Sequence, residues 1–72
     1  MLQSIEVFKT NIQLTEHAAA ACRMLYINFP THTTDFDLED CDRVLRVKGR
    51  NIIPEQVMDC VRADGFECEI LE

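Results

Sequence analysis

The chain has 72 residues, 47% of them apolar and 28% charged, with two glycines and two prolines. That is one domain with enough apolar material for a core, and neither a disordered nor a fibrous composition. Thirteen acidic against seven basic residues give a net charge of −6, which argues against nucleic-acid binding, since phosphates are neutralised by Lys and Arg. No apolar run reaches the ~18 residues of a membrane helix, and no basic segment followed by an apolar stretch marks a secretory leader. A small acidic cytoplasmic protein is expected.

The first element is a strand over residues 3–10. Ile5 and Val7 share one face of it and Phe8 takes the other, as a central strand with two occupied sides would require. After a connection through Asn11 to Leu14, Thr15 is placed as a helix N-cap with Glu16 in the favourable first turn. The helix should run from Glu16 to Asn28. Ala18, Cys22, Leu25 and Phe29 form its apolar stripe, and Pro30 ends it.

Residues 31–38 alternate at their end, with Phe36 and Leu38 on one side and Asp35 and Asp37 on the other. This predicts a strand with one solvated face. A charged turn from Glu39 to Asp42 leads into a third strand over residues 43–48, ended by Gly49. Pro54 suits the first position of a second helix, whose inner stripe is Val57, Met58 and Val61, and Gly65 suits a left-handed C-cap. Phe66, Cys68 and Ile70 then alternate with Glu67 and Glu69 in a fourth strand. The order strand–helix–strand–strand–helix–strand predicts an α+β, ferredoxin-like sandwich, a four-stranded antiparallel sheet with both helices on one face. Asp35, Asp37, Arg46, Glu67 and Glu69 should line or rim the open face.

The order and length resemble the heavy-metal-associated (HMA) domain, the module of copper chaperones and metal-pumping ATPases. Phe8-Lys9-Thr10-Asn11-Ile12 is similar to its first strand and exit. Asp40 to Gly49 is similar to its second hairpin, and Gln56 to Phe66 to its second helix with the glycine–aromatic entry to the last strand. The resemblance spans nearly all of residues 1–72. It implies a Met-x-Cys-x-x-Cys loop after the first strand, where two thiolates at a helix start clamp a soft ion such as Cu(I). This chain has Ile12-Gln13-Leu14-Thr15-Glu16-His17 there. Ile12 can replace the core methionine, but Leu14 stands at the first ligand position without a donor atom. His17 stands at the second. The chain is thus read as a degenerate, metal-free member with no cofactor, for which His17 is the one candidate ligand.

The other donors do not rebuild that site. His17 and Cys22 lie about 140° apart around a helix axis and cannot chelate together. His32 is read as an ordinary half-exposed residue near the second strand. Counting from Asp35, the sixth and twelfth positions of an EF-hand loop hold Asp40 and Arg46 instead of Gly and Glu. Cys41, between Asp40 and Asp42, is the expected exposed thiol, whereas Cys22, Cys60 and Cys68 read as core residues in a reducing compartment. Cys60 and Cys68 are the pair whose proximity needs checking. No nucleophile–base constellation or phosphate loop is present, so the chain is not expected to be an enzyme. Its expected role is a protein-interaction or regulatory module, with a protein partner or a homodimer, acting through an acidic sheet face or a strand edge. The alternative is a copper-chaperone-like carrier with altered ligands around His17.

Overall fold

The computed structural model describes residues 3–71. Six elements follow one another: β1 (Ser4–Thr10), α1 (Thr15–Asn28), β2 (Thr33–Asp37), β3 (Val44–Gly49), α2 (Pro54–Ala63) and β4 (Cys68–Ile70). The strands form one antiparallel sheet in the order β2-β3-β1-β4. This is the ferredoxin-like α+β sandwich expected from the element order.

The pairing register sorts the side chains into two faces, because neighbours directly across a ladder share a side. Phe8 lies opposite both Leu45 and Ile70, and Phe36 opposite Leu45. Phe8, Leu45, Val47 and Cys68 on this side pack against Ala18, Ala21 and Leu25 of α1 and Val57, Met58 and Val61 of α2. Both helices therefore cover the same sheet face. Phe8 and Leu45 are fully buried, and burial of such a side chain contributes roughly 1.5–3 kcal/mol each.

The helix ends differ from expectation in one detail. Leu14, not Thr15, is the N-cap; its backbone is extended, and no side chain accepts a hydrogen bond from the first turn. Thr15 is already helical, so the acid in the first turn, Glu16, is the side chain there that complements the exposed N–H groups. At the other end Asn28 is the last helical residue, ahead of Pro30. The inner stripe of α1 also shifts. Ala21, rather than Cys22, is fully covered, while Cys22 and Phe29 are half-buried.

In α2, Pro54 stands at the start and the inner stripe is as expected. Gly65 has φ of +92°, and its N–H donates to the carbonyl of Arg62 at 2.9 Å. The Arg62 guanidinium in turn donates to the Cys68 carbonyl at 2.7 Å, which ties the end of α2 to β4. Ile70, the last residue of the short edge strand β4, faces the helix side, yet it is 41% exposed.

The open face is not acidic. By register it presents Asp35, Asp37 and Glu69, with Glu67 close to Lys9 and Glu69, but also Lys9, Arg46 and Lys48. Arg46 Nε donates to Asp35 Oδ1 at 2.9 Å, and Lys9 Nζ lies 3.9 Å from Glu69 Oε1. Such exposed pairs contribute little to stability, but they balance the charge of the face. The expected acidic sheet surface is therefore corrected to a mixed one.

Candidate functional site

Three connections meet at one end of the sheet: the β1–α1 loop (residues 11–14), the β2–β3 turn (38–43) and the α2–β4 connection (64–67). Hydrogen bonds join them. The Thr10 hydroxyl donates to the Arg43 carbonyl at 2.7 Å, and the Thr10 N–H donates to the Asp42 carbonyl at 3.0 Å. The Glu67 N–H donates to Asn11 Oδ1 at 2.8 Å. Ile12, with no exposed surface, plugs the loop into the core. This is the position for which the resemblance implied a core methionine.

The two residues at the positions for which the resemblance implied ligands are both exposed. Leu14 is 51% exposed and offers only carbon. His17 is exposed, and its ring lies 5.2 Å from that of Phe66, tilted by 48°. This tilted contact joins the start of α1 to the entry to β4. Among the described residues, the one cluster of three possible metal donors is Asp40, Cys41 and Asp42, whose donor atoms lie within 4.8 Å of one another. His17 is not part of it. That trio is the β2–β3 turn itself: Asp40 Oδ1 accepts the Asp42 N–H at 2.9 Å, so one of its carboxylate oxygens already serves the turn.

His32 sits far from His17, just ahead of β2 at the opposite end of the sheet. It is half-buried, stacks on Phe29 with centroids 5.6 Å apart, and its Nδ1 is buried without a hydrogen-bond partner. The thiols are all free. Cys41 is exposed as expected, and Cys68 is buried under the helices. Burial, opposed in part by Arg62, pushes the Cys68 thiol up to about 11. Cys60 is turned toward α1, where Asn28 Nδ2 approaches its sulfur at 3.7 Å. Burial first and the Asp64 carboxylate second raise its pKa. Cys22 and Cys60 are half-buried rather than core residues.

The feature that sequence reasoning missed lies between the helices. Two adjoining open depressions, about 490 and 470 Å³, share Met24. One is lined by Phe29, Cys60 and Ala63 together with Asp59; the other is lined by His17, Ala20, Ile27 and Phe66 together with Arg23 and Asp64. The legible clue was a second stripe on the first helix, Ala20, Met24 and Ile27, at spacings of four and three.

No helix among the described residues is long and apolar enough to cross a membrane. No protein-family model matches the chain, and no curated protein matches it.

Proposed function

We propose that this chain is a protein-interaction module on a sandwich like that of the heavy-metal-associated domain, without a resident soft metal, enzymatic activity or nucleic-acid partner, and that it works in the cytoplasm. The observation that carries the reading is the pair Leu14 and His17. The family's two thiolates would stand at these positions, and here one position has no donor and the other is an imidazole packed on Phe66. A lone imidazole is a weak ligand set for a soft ion, which is held by paired sulfur. The surface supports the interaction half of the reading. Met24 and Ile27, on one stripe of α1, are both exposed, and grouped exposed apolar side chains mark contact surfaces on small proteins.

A second reading keeps metal carriage with altered ligands. It draws on the exposure of His17, which makes no hydrogen bond among the described residues, with a second donor coming from another chain. Titration of the reduced protein with Cu(I) and with Zn(II) against a competing chelator separates the two. The interaction-module reading expects no stoichiometric binding. Tight binding at one ion per chain or per pair of chains, lost in His17→Ala, would establish the carrier instead.

A further inference from the structure

We infer that the occupant of the groove between α1 and α2 is a second copy of this chain, the two helix layers packing face to face about a two-fold axis. The inference rests on the interaction-module reading and names its partner.

The helix α1 is apolar on two sides. Ala18, Ala21 and Leu25 face the sheet, while Met24 and Ile27 on the outer stripe are 39% and 68% exposed. A helix whose outer face is also apolar is normally covered there too. In contrast, α2 turns Glu55, Gln56 and Asp59 outward, as a solvated helix does. The cover that is missing is therefore the one over α1 and the groove beside it.

The charges at the rims decide between occupants. Arg23 stands on the α1 rim, and Asp59 and Asp64 border the groove from α2 and its C-terminal end. Among the described residues none of the three has an ion-pair partner. A basic foreign segment would answer the aspartates and leave Arg23 facing like charge; an acidic segment would do the reverse. A copy related by a two-fold axis carries both signs, and each contact is made twice. Its Arg23 meets the aspartate rim, and its aspartates meet Arg23. The small residues Ala20 and Ala63 on the groove walls allow the helices to approach closely. The net charge of −6 opposes association at long range, so the dimer is a weak one.

Sedimentation equilibrium of the full chain over a concentration series tests this. The wild type should show a monomer–dimer equilibrium, and Ile27→Glu, at an outward position, should keep the circular dichroism spectrum and weaken association by at least ~10-fold. Arg23→Glu alone should weaken it, and so should Asp59→Lys combined with Asp64→Lys. An equimolar mixture of these two variants should recover dimer, because one pair of contacts is native and the other is reversed in both partners. Three results would overturn the inference: a wild type that stays monomeric at millimolar concentration, a dimer indifferent to Ile27→Glu, or a mixture that does not recover. Pairing through the β2 edge would give the second result. A monomer that also binds no metal leaves the interaction-module reading standing with another partner, whereas stoichiometric metal binding removes that reading whatever the mass.

Discussion

The His32 imidazole fills the space that a side chain at Gly49 would need. A β-carbon built on Gly49 would lie 2.5 Å from His32 Nδ1 and 3.2 Å from its Cγ. Gly49 has an ordinary negative φ, so the requirement is for room and not for backbone freedom. The ring cannot easily yield, because it is stacked on Phe29 at an interplanar angle of 10°. Gly49→Ala should therefore destabilise the fold by roughly 1–3 kcal/mol, the range for overpacking a filled site. Thermal unfolding of Gly49→Ala, His32→Ala and the double variant checks this. The loss at Gly49 should largely disappear when His32 is already alanine.

Gly65 is needed for the opposite reason. A β-carbon there would meet nothing within 4 Å, but φ is +92°. Gly65→Ala should cost about 1 kcal/mol through backbone strain alone. The cost should persist in any background that relieves crowding elsewhere, including His32→Ala. An unchanged melting temperature would show that the end of α2 does not depend on the left-handed turn.

These two glycines mark how far the sequence could be read. Gly65 was legible because a helix stop followed by an alternating segment calls for a left-handed residue, a local rule. Gly49 was legible only as a strand end, because its neighbour His32 is distant along the chain and approaches it through the β2–β3 pairing. The same division runs through the site. Leu14 and His17 could be singled out through the family resemblance, while the tilted His17–Phe66 contact needed the fold to bring the two together. The acidic reading of the open face failed because Lys9 and Lys48 sit on different strands, and register alone turns both to that side. The groove needs α1 and α2 side by side, which the periodicity of neither helix shows.

The buried thiol of Cys68 should link stability to alkaline pH. Its pKa is raised from 9.0 to about 11, chiefly by burial. The folded chain then keeps a proton that the unfolded chain loses, so the stabilisation is complete below pH 9 and declines as pH rises through 11. Comparing melting temperatures of the wild type and Cys68→Ala from neutral pH to pH 11 isolates this contribution. The wild type should fall more steeply above pH 9. Thiol labelling of the native protein should follow exposure, with Cys41 reacting first and Cys68 only on unfolding.

The β1–α1 loop offers the sharpest test of the resemblance. Leu14 and His17 are both exposed, three residues apart, at the N-cap and in the first turn of α1. Paired cysteines at that spacing can reach one ion, and the helix start favours their thiolates. The original side chains contribute little burial, so Leu14→Cys with His17→Cys should fold as the wild type does. Loss of the His17–Phe66 contact should cost no more than about 1 kcal/mol. The double variant should bind one Cu(I) tightly in competition with a chelator, and the single variants should not. A well-folded double variant without Cu(I) affinity would show that the loop lacks the geometry of a soft-metal site and that the likeness ends at the fold.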